Sequence, residues 1–179
     1  LCKDLVALDF GLKDILVLSH DPEQTAAQHG VAAVPRYDLK AIWHALGTAE
    51  VFISGGGSLL QDVTSRRSIP YYLGLVELAL LRKVPVVMYG QGLGPIRNRF
   101  FRSWVGRTFK KSSAASVRDA GSLEFLLGCG VRQEQVELCA DPVFQEEMVV
   151  SPCPDRSKIL LNLRPYYRWE QQQSLWLEH

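Results

Sequence analysis

Three consecutive glycines, Gly55-Gly56-Gly57, stand between Ser54 and Ser58, just after the apolar run Val51-Phe52-Ile53. Glycines let a backbone approach a ligand closely and turn its N–H groups outward, and at a helix start such a turn can hold an anion. No Gly-Lys-Ser/Thr follows and no Gly-x-Gly-x-x-Gly is present, so this is neither a Walker A loop nor the dinucleotide fingerprint. The same residues would also serve as a tight strand-to-helix turn with no ligand. A second glycine-rich stretch, Gly90-Gln91-Gly92-Leu93-Gly94-Pro95, follows the apolar run Val84 to Tyr89. Gln91 carries both donors and acceptors, which suits a sugar hydroxyl. A loop with no ligand is the competing reading there.

Charged residues gather near the same places. Gln61, Asp62, Thr64, Ser65, Arg66 and Arg67 follow the first glycine turn. Arginines can pair with phosphate or carboxylate through a planar fork of donors, or simply line a solvated helix start. Arg118-Asp119 follows Ala114 to Val117, with Ser122 three residues beyond Asp119. That spacing makes Asp119 a helix N-cap and leaves Arg118 without a structural explanation. Asp141, in Ala140-Asp141-Pro142-Val143-Phe144, either caps a turn or contacts a ligand. Arg164 closes Asn162-Leu163-Arg164 after the run from Ile159. His29 and His44 fall inside helical patterns, and His20 follows a strand end, so no histidine cluster marks a general acid or a metal.

The elements that must position these residues alternate. Strands are expected at 15–18, 51–53, 84–89, 114–117, 136–138 and from 159 onward. Helices are expected at 22–29, with Asp21 as cap and Pro22 in the first turn, and at 39–46, 71–81, 99–109 and 120–127. Continuous apolar strands separated by helices predict an α/β fold, a Rossmann-like parallel sheet with helices on both faces. Ligands of such sheets bind beyond the carboxyl ends of the strands, where the unusual residues cluster.

Composition narrows the class. The 179 residues suffice for one domain, and 47% are apolar, enough for a sizeable core. A net charge of +1 argues against nucleic acid as partner. No apolar run approaches the roughly 20 residues that span a bilayer. Cys2, Cys129, Cys139 and Cys153 form no Cys-x-x-Cys pair, so no metal site is expected; sparse reduced thiols fit a cytoplasmic protein, with Cys129 and Cys139 as small buried hydrophobes. Basic residues from Arg97 to Lys111 alternate with Trp104, Val105 and Phe109. That pattern fits a core-facing helix with a basic outer side, leaving room for weak peripheral contact with the inner face of the membrane or an anionic carrier lipid. Residues 1–152 are expected to form an N-terminal Rossmann-like domain whose first strand lies upstream. Residues 153–176 read as a linker and the start of a second domain, and 177–179 as the beginning of a histidine tag.

Taken in order, Phe52 to Asp62, Thr64-Ser65, Tyr71-Tyr72-Leu73, Tyr89 to Pro95, Val117-Arg118-Asp119 with Ser122, and Ala140 to Phe144 resemble the polysaccharide pyruvyl transferases. The resemblance runs from Ile15 to Pro165 and is nearest to the bacterial group that pyruvylates cell-wall polysaccharide for S-layer anchoring. It implies one half of a GT-B-like two-domain enzyme. That enzyme would transfer the enolpyruvyl group of phosphoenolpyruvate to a sugar such as N-acetylmannosamine, on a lipid-linked or polymeric cell-wall glycan, to form a pyruvate ketal. No cofactor is implied beyond the donor substrate. Donor-binding arginine and histidine, and with them the general acid, are implied for the second domain, so this part of the chain alone would be inactive.

Carried onto this sequence, the resemblance makes Asp62 and Arg118 the catalytic candidates. Gly55, Gly56, Gly57, Ser58, Gln61, Ser65, Gln91, Gly92, Gly94, Asp141 and Arg164 become the substrate-contacting candidates. A GT-B glycosyltransferase using a nucleotide sugar, or a non-catalytic sugar- or anion-binding module, would show much of the same pattern.

Overall fold

The computed structural model of the chain describes residues 1–63 and 67–145. They belong to the first of two units into which the chain divides, Leu1–Glu146 and Glu147–His179. Ser65, Arg164 and the strand expected from Ile159 lie outside the described residues.

In chain order the elements are α1 (Cys2–Ala7), β1 (Leu16–Ser19), α2 (Pro22–His29), β2 (Ala32–Pro35), α3 (Leu39–Leu46), β3 (Phe52–Ser54), β4 (Gly57–Leu60), α4 (Ser68–Leu81), β5 (Val86–Leu93), α5 (Arg99–Lys111), β6 (Ala114–Val117), α6 (Ala120–Gly128) and β7 (Glu137–Leu138). Short 3-10 turns cover Leu12–Asp14, Gln133–Gln135 and Pro142–Gln145. Among the described residues every strand pairing is parallel. β1 and β2 form a two-stranded sheet; β3, β5, β6 and β7 lie side by side in that order, with β4 also paired to β5. This is the Rossmann-like α/β arrangement that the alternation of strands and helices predicts.

Side-chain caps explain where the helices begin. Asp21 accepts from the N–H of Gln24, Asp38 from Lys40 and Ala41, Asn98 from Phe100 and Phe101, and Asp119 from Ser122. Each fills an orphan donor of the first helical turn. α4 starts three residues before the expected Tyr71, because Pro70 falls within its first turn, where the missing N–H has no partner to lose. Ile69, Leu73, Val76 and Ala79 of α4 and Val105 and Phe109 of α5 pack into one core with Met88 of β5, Val117 of β6 and Leu126 of α6. Truncating a fully buried phenylalanine such as Phe109 costs about 3–5 kcal/mol. Glu77 of α4 ties the two helices together. It accepts from Trp104 Nε1 at 3.2 Å and lies 3.7 Å from Lys111 Nζ.

Four sequence expectations change. β2 forms where no strand was expected. β1 is not fully covered, and Leu16 is 45% exposed. Cys129 and Cys139 are half-buried rather than enclosed, and burial still pushes the Cys129 thiol up, against the lowering pull of Arg102 and Lys110. Most important for the site, both glycine-rich stretches are built into the sheet. The triplet leads into strand β4 and not a helix, and β5 runs on through Gly90, Gln91 and Gly92 to Leu93. Glycine is a weak strand former in isolation, but it is placed in strands where another backbone or side chain must come close.

Candidate functional site

β3 and β4 follow one another along the same neighbour, β5. Ser54 pairs with Met88 and Gly57 with Gln91, so Gly55 and Gly56 bridge two strand segments in register. The bridge passes tightly over β5. A Cβ on Gly56 would sit 2.9 Å from the Gly90 carbonyl oxygen and 3.4 Å from that of Tyr89. Beneath it lies Gln91, fully buried, whose Nε2 donates to the carbonyls of Ser54 at 2.9 Å and Gly55 at 2.6 Å. Gln91 therefore serves the chain's own backbone, and its Oε1 is buried without a hydrogen-bond partner.

Near the carboxyl ends of β5, β6 and β7, and alongside the start of β4, four expected residues meet. Arg118, just after β6, donates through Nη1 to Asp141 Oδ2 at 2.5 Å and through Nη2 to Ser58 Oγ at 2.7 Å. Its guanidinium lies on Gly92, where a Cβ would come within 2.7 Å of Nε. Asp141, after β7, also accepts from the Val143 N–H at 3.1 Å, which starts the 3-10 turn. That turn closes on β5 as well. Gly90 has φ +55°, and a Cβ there would meet Pro142 Cγ at 2.6 Å. The serines on either side of Arg118 stitch the neighbouring strands. Ser116 Oγ accepts from the Gly90 N–H at 2.9 Å, and buried Ser122 Oγ accepts from the Leu93 N–H at 2.8 Å while donating to Asp119.

Arg118 and Asp141 stay 25% and 30% exposed. A pair that exposed contributes at most about 1 kcal/mol, so Asp141 orients the guanidinium without committing it. Two of its five N–H donors have partners among the described residues, which leaves the guanidinium with donors for an anion or hydroxyl.

Asp62 sits differently. Its oxygens accept from the Arg97 N–H at 2.9 Å and the Asn98 N–H at 2.8 Å, immediately before α5. Burial alone would raise its pKa; hydrogen bonds from Arg97, Asn98 and its own N–H, with the Arg97 charge, outweigh that and hold it below the ordinary value. A carboxylate so held is a weak base and a firm clamp. Gln61 folds back to the Ser58 carbonyl at 3.2 Å, and the Gly94 N–H bonds the Leu60 carbonyl at 3.0 Å. The chain thus brings Ser58, Gly92, Arg118 and Asp141 together, and gives Asp62, Gln91 and Gly94 partners elsewhere in its own backbone. Ser116 was not foreseen. A lone serine inside an apolar strand is its only sequence signal.

The family model described as "Polysaccharide pyruvyl transferase" matches residues 10–175. Amylovoran biosynthesis protein AmsJ of Erwinia amylovora is 30% identical over 112 residues, covering 63% of this chain and 26% of that protein. The chain therefore spans about a quarter of that relative's length. No solved structure matches.

Proposed function

The chain belongs to the polysaccharide pyruvyl transferase family, and on that premise we propose that its parent protein transfers the enolpyruvyl group of phosphoenolpyruvate to a cell-wall glycan sugar, N-acetylmannosamine for preference, as a cyclic ketal. Protonation of the methylene carbon makes the methyl group and an oxocarbenium-like centre. One sugar hydroxyl attacks that carbon. A second then displaces inorganic phosphate and closes the ketal, releasing its proton. The two hydroxyl protons match the one taken up by carbon and the one carried away with phosphate.

The observation that carries the reading is the guanidinium of Arg118, held between Asp141 and Ser58 over Gly92 at the strand ends. In this role Arg118 is the catalytic residue of the described part, touching the reacting oxygens or the donor's anionic groups. Ser58, Gly56, Gly57 and Asp141 border the sugar. Asp62, Gln61 and Gln91 are positioning residues, since each holds backbone around the site. The general acid, the remaining donor-binding groups, Ser65 and Arg164 fall to the rest of a GT-B-like enzyme that acts without a metal or nucleotide cofactor. The outer side of α5 carries Arg99, Arg102, Arg107, Lys110 and Lys111 with exposed Phe100. We assign it weak contact with the anionic inner membrane face, where a lipid-linked acceptor would be presented. Among the described residues no helix is long and apolar enough to cross a membrane.

The full-length parent is incubated with phosphoenolpyruvate and an N-acetylmannosaminide, and phosphate release and sugar mass are followed. Stoichiometric phosphate and a ketal mass increment are expected, with turnover falling at least about tenfold in Arg118→Ala, the loss of one charge-assisted hydrogen bond. Turnover of a nucleotide sugar in place of phosphoenolpyruvate would overturn the reading.

A further inference from the structure

Away from Arg118, a second arginine stands at a strand end with no counter-charge among the described residues. Arg36 follows β2 directly, and its backbone is fixed on both sides: its N–H donates to the Ser19 carbonyl at 2.8 Å, and its carbonyl accepts from the Tyr71 hydroxyl at 2.8 Å. The side chain is held too. Its guanidinium carbon lies 4.8 Å from the centre of the Tyr37 ring. Tyr37 packs edge-on against Tyr71 at 5.3 Å, and Tyr71 against Tyr72 at 4.9 Å. Among the described residues no carboxylate pairs with Arg36, and its Nε is buried without a hydrogen-bond partner.

Those facts do not describe an ordinary surface arginine. A solvated arginine keeps its donors in water, and a structural one finds a carboxylate or carbonyl. Leaving a buried donor of a charged group unmet costs about 1–3 kcal/mol or more. Nε itself is closed to solvent, but an oxyanion on the Nη nitrogens would neutralise the guanidinium. The ring beside it is available as well, because Tyr37 is 64% exposed. An exposed, sideways-braced aromatic ring offers a flat apolar face of the kind that packs on the C–H face of a pyranose. Burial is the leading cause that raises the Tyr71 pKa, so its hydroxyl stays protonated and keeps donating to Arg36.

We propose that Arg36 and Tyr37, braced by Tyr71 and Tyr72, form a binding site for a pyranose sugar that carries an oxyanion, with the anion on the guanidinium and the ring on Tyr37. The site needs nothing from Arg118 and stands whether or not the parent protein transfers pyruvyl groups.

Calorimetric titration of the full-length protein with four probes tests it: N-acetylglucosamine 1-phosphate, glucuronic acid, neutral methyl N-acetylglucosaminide and inorganic phosphate. At least one of the two anionic sugars should bind more tightly than either the neutral sugar or phosphate alone, and the tighter one identifies phosphate or carboxylate as the anion. Arg36→Gln should weaken that sugar by about tenfold or more, the loss of a charge-assisted hydrogen bond. Tyr37→Ala should weaken it with unchanged thermal melting, since that ring is mostly in solvent. Arg118→Ala should leave it unaltered while lowering pyruvyl transfer, which separates failure of this site from failure of the proposed reaction. No saturable binding of either anionic sugar, or equal binding by the wild type, Arg36→Gln and Tyr37→Ala, would overturn the proposal.

Discussion

Gly92→Ala is a direct test of the placement of Arg118. The methyl group would arrive 2.7 Å from Nε, 3.1 Å from Nη2 and 3.2 Å from Cζ of Arg118. Ordinary contact starts at 3.4 Å, so the guanidinium must retreat by about 0.7 Å. What it meets is the end of a flexible side chain and no backbone, so the fold can absorb the change. The expected stability loss is therefore below about 1 kcal/mol, helped by alanine's better fit to an extended strand. The functional cost is larger. Displacement stretches the bonds to Ser58 and Asp141, which are 2.7 Å and 2.5 Å long, and shifts the remaining donors with them. A misplacement near 1 Å can cost about a hundredfold in rate, and one charge-assisted bond is worth about 1.5–3 kcal/mol. kcat/KM should thus fall about 10- to 100-fold with melting lowered by no more than a few degrees, approaching the rate of Arg118→Ala. The double variant Gly92→Ala/Arg118→Ala should be little worse than either alone, because both remove the same contact. Additive losses in the double variant, or full activity in Gly92→Ala beside a crippled Arg118→Ala, would refute the geometry.

Two further expectations concern stability. Asp62→Ala removes the acceptor of the Arg97 and Asn98 N–H groups and should cost about 1–2 kcal/mol in urea denaturation near neutral pH. Because the folded pKa of Asp62 lies below the ordinary 3.8, that contribution is complete above about 3.8 and disappears as pH falls through the lower folded value. Wild type and Asp62→Ala should therefore converge in acid; a gap that persists there would contradict stabilisation by the charged carboxylate, and turnover lost with no loss of stability would make Asp62 a catalytic group and not a clamp. Gly56→Ala drives a Cβ to 2.9 Å from the Gly90 carbonyl oxygen, which is backbone. It should destabilise by about 1–3 kcal/mol, unlike Gly92→Ala, and equal melting of the two variants would contradict the close approach of the two strands.

Helices were legible because their signals are local. Asp21, Asp38 and Asp119 stand where caps belong, and Leu39, Ile42 and Leu46 share one face of α3. β2 was missed because Ala32 and Ala33 dilute its apolar run, and its identity comes from pairing with β1. Ser58, Arg118 and Asp141 could be picked out as polar residues that follow apolar strands. The clamp of Asp62 could not, since its partners are backbone groups 35 and 36 residues away. Arg36 was overlooked for the same reason as β2: without that strand it has no strand end to mark.

The two glycine stretches depart from the expected turns for a physical reason. Read along the chain, Gly90-Gln91-Gly92 looks like a break in a strand; read across the sheet, it is where the strands slip past each other. From Val87 to Gln91, β5 takes four steps while β6 takes three, from Ala114 to Val117. From Gln91 to Leu93 it takes two while β4 takes three, from Gly57 to Leu60. One extra residue thus falls in β5 facing β6, and another in β4 facing β5. Such bulges bend a strand and re-aim its side chains. Here the first lies at Gly90, with its positive φ, where Pro142 packs, and the second spans Ser58, whose hydroxyl meets Arg118. A regular sheet would keep its backbone pairing unbroken and give glycine no advantage at either place. The irregular stretch is where Ser58 and Gly92 come within reach of the Arg118 guanidinium, with Asp141 closing on it from beyond β7, so the residues that spoil the strand pattern help to build the site.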